Sequence, residues 1–110
     1  MLKIDSLIFN INKNSPYRNN LLKAKSIDAI EKIAENKNLN LFINISDNNE
    51  LLQDKLVIMA MTTKPHSFDR GAARTFVNKN AKTEEISVKL YNVAMMAIEA
   101  FEKKFKKIYH

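Results

Sequence analysis

A single glycine, Gly71, stands in a chain of 110 residues, and that scarcity excludes whole architectures before any pattern is read. Dinucleotide-binding loops need three glycines and phosphate-binding P-loops two, at fixed spacing, so that the backbone can turn tightly and approach a phosphate. Neither kind of nucleotide fold is open to this chain. It also has no cysteine, and its only histidines are His66 and His110, which removes thiol catalysis, disulfide stapling and ordinary zinc sites. What remains is an ordinary globular balance, 45% hydrophobic and 27% charged, in a length that suits one compact domain spanning residues 1–110. Lys, Asn and Ile dominate the composition, the usage expected of an AT-rich genome such as that of a low-GC bacterium, its phage or its plasmid. No fully apolar run, Leu56 to Met61 included, exceeds six residues, far short of the roughly 20 residues that cross a bilayer. A cytoplasmic protein with no membrane partner is expected.

Residues 2–11 look extended, with a change of apolar face near Ser6. After a turn at Asn12 to Ser15, the pair Ser15-Pro16 offers a helix N-cap followed by proline at the first helical position, with Ser26 as a competing cap. Either way the helix ends near Asn36. On a helical wheel Leu22, Ile27, Ala29, Ile30, Ile33 and Ala34 form one stripe, opposite Asp28, Glu31, Lys32 and Glu35, which is the pattern of a helix lying on a core. Leu39, Leu41, Ile43 and Ile45 then alternate with Asn40, Phe42 and Asn44, the period of a strand with one buried face. Leu56 to Met61, apolar at every position, reads as a strand covered on both faces and as the second arm of a long-looped hairpin. Residues 66–80 satisfy two periods, a helix through Phe68, Ala72 and Phe76 or a strand through Ala73, Thr75 and Val77. After Thr83, a candidate cap, Ile86, Leu90, Val93, Ala94, Ala97, Ile98, Phe101, Phe105 and Ile108 recur at helical spacing. Glu99 with Lys103 and Glu102 with Lys106 add favourable i, i+4 pairs. The sum is an α+β fold, a small antiparallel sheet with a central hairpin, packed with an N-terminal amphipathic helix and a long C-terminal helix. Met95 and Met96 widen the apolar stripe of that last helix, so they are the expected interface of a homo-oligomer.

Of the formal net charge of +6, most resides in residues 64–82, where Lys64, Arg70, Arg74, Lys79 and Lys82 oppose only Asp69. Arginine holds a phosphate bidentately and stacks on bases, which lysine does not. Arg70 and Arg74 share one side of the segment whether it is helix or strand, and form an anion clamp to which Lys64, His66, Lys79 and Lys82 contribute charge. Phe68 and Phe76 are candidate stacking surfaces beside those cations, the alternative being two core residues under a solvated basic face. His66, Ser67 and Asp69 are too close in sequence to converge as a triad, and no catalytic residue, metal ligand or cofactor is assigned. Asp47, Glu50 and Asp54 lack the glycine and the ligand register of a calcium loop. The passage Glu85 to Phe101, where Ile86, Val88 and Leu90 alternate ahead of a helix, is faintly similar to the last strand and helix of a family of single-stranded-DNA-binding proteins. The likeness would imply a curved sheet that holds a nucleic-acid strand; the wheel makes Ile86 to Leu90 helical instead, and no family is assigned. The function expected is non-enzymatic nucleic-acid binding through residues 64–82. The alternative is a small homo-oligomeric phage- or plasmid-type binder or inhibitor that captures a protein or an anionic small molecule such as a nucleotide.

Overall fold

The computed structural model describes residues 7–11, 25–46, 54–65 and 67–109. Its elements run β1 (Leu7–Ile11), α1 (Lys25–Asn36), β2 (Asn40–Ser46), β3 (Lys55–Thr63), β4 (Arg70–Asn78) and α2 (Thr83–Tyr109). The four strands form one sheet in the order β1-β2-β3-β4. The expected antiparallel part is present, β2 pairing β3 from Asn40↔Thr63 to Ser46↔Val57 and β3 pairing β4 from Lys55↔Asn78 to Thr63↔Arg70. The sheet is nonetheless mixed, because β1 joins β2 in parallel with Leu7 opposite Leu41. A parallel neighbour needs a crossover, and the segment holding α1 supplies it.

Alternation along the strands decides which face is buried. Leu41, Ile43 and Ile45 of β2, Leu56, Ile58 and Ala60 of β3 and Val77 of β4 point into one core with Ile27, Ile30 and Ala34 of α1 and Ile86, Leu90, Val93, Ala94 and Ala97 of α2. A smaller cluster unites Leu39 with Ile98 and Phe101. Both helices thus cover the same face of the sheet. The expectation that Leu56–Met61 is covered on both sides is therefore overturned: burial alternates along β3, and Met59 is 43% exposed. The run is uniformly apolar, yet no described element packs on its second face.

Residues 70–78 are strand, which settles the two-period segment against the helix through Phe68 and Phe76. The reason is visible at Gly71. A Cβ placed there would meet the Ala97 carbonyl oxygen at 2.3 Å, the Phe101 nitrogen at 2.4 Å and the Phe101 Cβ at 2.7 Å. The chain's one glycine is where the backbone of α2 rests on β4.

Helix ends follow local chemistry. At the end of α1 Asn38 adopts φ 55°, Asn38 N–H donates to the Glu35 carbonyl and Leu39 N–H to the Ala34 carbonyl at 2.9 Å, a Schellman closure in which asparagine takes the place usually given to glycine. Ser26 lies within α1 and does not precede it as a cap, and its Oγ contacts the Ser87 Oγ of α2. The Ser15-Pro16 cap, Leu22 and residues 2–6 lie outside the described residues, as does the side chain of Lys106. Glu102, expected to pair with Lys106, accepts from Lys37 at 2.5 Å and so ties the end of α1 to α2, while Glu99 and Lys103 pair as expected at 3.2 Å. Ile86 to Leu90 is helical, which removes the likeness to a closing strand and helix.

Candidate functional site

The face of the sheet opposite the helices carries Asn40, Phe42, Asn44 and Ser46 from β2, Lys55, Val57, Met59, Met61 and Thr63 from β3, and Arg70, Ala72, Arg74, Phe76 and Asn78 from β4. All of these are exposed or half-buried. None is acidic. Seven of the nine described acids, Asp28, Glu31, Glu35, Glu84, Glu85, Glu99 and Glu102, sit on the two helices, and Asp54 and Asp69 lie just before β3 and β4, so within these strands the open face carries only positive charge.

β4 fixes the two arginines. Being four residues apart on a strand, Arg70 and Arg74 share the open face but stand about 13 Å apart along it, against 5–6 Å for the same spacing on a helix. Both are exposed. Among the described residues neither has an ion-pair partner. The start of β4 is held from behind, since Lys104 Nζ donates to the Arg70 carbonyl at 2.9 Å next to the Gly71 contact with α2. An open hollow of about 280 Å³ beside Arg74 is lined by Met59, Ala72, Ala73 and Arg74. Lys55 completes the cations of this face, its Nζ donating to Asn78 Oδ1, a neutral partner that leaves the charge uncompensated.

The remaining cations of the basic segment are not gathered at one point. Lys64 is half-buried in the turn after β3, while Lys79 and Lys82 are exposed in the connection to α2 at the far end of β4. A nine-residue strand separates the two groups by about 26 Å. His66 lies outside the described residues, as do Lys13, Tyr17, Arg18 and Lys23 of a second basic stretch. Ser67 belongs to the turn, its N–H donating to the Lys64 carbonyl and its Oγ accepting from the Asp69 N–H at 3.2 Å. Of the two phenylalanines, Phe76 lies on the open face at 42% exposure, while Phe68 precedes the strand and is fully exposed. Met95 packs against both core clusters, whereas Met96 is 54% exposed on the outer side of α2 with Val88 at 59%.

Sequence reading missed Lys55, Phe42 and Met59 as members of this surface. The alternation that buries Leu41 and Ile43 places Phe42 outside, and that signal was present; for Leu56 to Met61 an unbroken apolar run hid it. Among the described residues no three His, Asp or Glu side chains come together as a metal site, and no helix is long and apolar enough to cross a membrane. Comparison with protein-family models, with curated proteins and with solved structures finds no match to this chain.

Proposed function

We propose that this protein is a non-enzymatic nucleic-acid-binding accessory protein, acting in the cytoplasm of a low-GC bacterium or on behalf of its phage or plasmid. The observation that carries the reading is the placement of Arg70 and Arg74, exposed and without an ion-pair partner among the described residues, on a sheet face that no described helix covers. Their spacing of about 13 Å along β4 suits separate phosphates of one polyanion better than a single small anion. Lys64 at one end of the strand and Lys79 and Lys82 at the other extend the same line of charge. Fluorescence anisotropy with labelled oligonucleotides, titrated at low and at physiological salt, tests it. Binding that persists at physiological salt and is lost when Arg70 and Arg74 are both changed to glutamate is the expected result. Retained affinity in that double variant would exclude the reading.

The second reading, a homo-oligomeric binder of a protein or a nucleotide, draws on exposed Val88 and Met96 on the outer side of α2. Light scattering that finds a multimer, together with thermal stabilisation by a mononucleotide and none by oligonucleotides, would favour it.

A further inference from the structure

Resting on the nucleic-acid reading above, we infer that the ligand of the open face is a single strand whose bases lie along the diagonal Phe76–Met59–Phe42. The register makes these three residues collinear. Phe76 stands beside Val57, Phe42 stands beside Met61, and Met59 lies midway between Val57 and Met61 on the central strand. Each step of the diagonal crosses one strand and advances two residues, about 8 Å, so three apolar side chains cross the sheet at even intervals. Phe76 and Met59 are 42% and 43% exposed, and Phe42 is half-buried.

Two physical arguments select a single strand. The apolar diagonal gains only from partners that present flat apolar faces, and unpaired bases do so whereas a duplex keeps its bases stacked inside. A duplex is also the wrong shape: its major groove, about 12 Å wide, admits a helix or a two-stranded ribbon, while the outer strands of this sheet stand about 14 Å apart before any side chain is added. A second copy of this chain is disfavoured by charge. Face-to-face pairing would bring Lys55, Arg70 and Arg74 of both copies together with no acid among the described positions of either face. Arg74 flanks Met59 directly across the β3–β4 pair, so a phosphate held there leaves its base free to turn onto the diagonal.

The test compares three probes on the unmodified protein at one salt concentration: oligothymidine, an abasic deoxyribose-phosphate strand of equal length, and a duplex of equal length. Oligothymidine is expected to bind about tenfold or more tighter than the abasic strand, the scale of one to two stacked bases, and tighter than the duplex. Phe76→Ala is expected to lower oligothymidine affinity about tenfold. Because the chain has no tryptophan, Phe76→Trp supplies a lone indole whose emission oligothymidine should quench and the abasic strand should not. Equal affinity for all three probes would overturn the single-strand inference while leaving a polyanion-binding face in place. Failure of every probe to bind at physiological salt would overturn both.

Discussion

At Gly71 the absence of a side chain lets the backbone of α2 lie directly on β4, with the Ala97 carbonyl and the Phe101 nitrogen in the space a Cβ would occupy. Flexible side chains yield to an added methyl group, but helix backbone does not, so Gly71→Ala should destabilise the fold by about 2–3 kcal/mol or more, at or above the overpacking range, as measured by urea unfolding. Thr62, paired with Gly71 on the neighbouring strand, presents the opposite case. It is fully buried, and its Oγ1 has no hydrogen-bond partner among the described residues. A buried hydroxyl with no partner costs about 1–3 kcal/mol of desolvation; Thr62→Val keeps the shape and removes that cost, and should raise the urea midpoint without changing the slope. Loss of stability in that variant would show that the hydroxyl has a partner after all.

Among the described strands, β3 alone is paired antiparallel on both sides, and its inner residues Leu56 and Ile58 are completely buried. Its amides should exchange with deuterium most slowly, while those of the edge strand β4 exchange faster by local opening. The tie between α1 and α2 made by Lys37 and Glu102 is partly exposed on both sides, so Glu102→Gln should shift stability by less than about 1 kcal/mol. Legibility in the sequence varied by element for physical reasons. Leu39 to Ile45 and the stripe from Ile86 to Phe101 were readable because their burial has a period. Leu56 to Met61 was readable as a strand and hairpin arm but not in its coverage, because an apolar run shows that both faces tolerate burial and says nothing about whether a partner exists to cover them. Gly71, Ala72 and Ala73 blurred β4, since small side chains satisfy helical and extended periods alike, and the deciding contact comes from Ala97 and Phe101, far away in sequence. The pairing of β1 with β2 left no mark on the pattern at all. For the candidate site, Arg70, Arg74 and Phe76 were legible as charge and aromatic content, the shared side of the arginines as spacing and the outward turn of Phe42 as alternation, but the gathering of these residues with Met59 and Lys55 on one face emerges only from register.

For the molecule as a whole, charge is divided between two layers. The helical layer carries seven described acids among its lysines, and the strand residues of the open face carry Lys55, Arg70 and Arg74 with Asp54 and Asp69 at the strand ends. If those three cations make the phosphate contacts, the logarithm of affinity for a single strand should fall with the logarithm of salt at a slope of about −2. Engagement of Lys64, Lys79 and Lys82 as well would steepen the slope to about −4, and a titration across salt concentrations separates the two. The order β1-β2-β3-β4 also has a temporal side. β2, β3 and β4 follow one another as a meander, so their pairing closes far shorter loops than the crossover that β1 requires. β1 must instead wait for the whole crossover through α1 before Leu7 can meet Leu41, and closing that longer loop costs more chain entropy. The sheet should therefore grow from the β2–β3 hairpin outward, with the open face of β2, β3 and β4 assembled before the first strand of the chain takes its place.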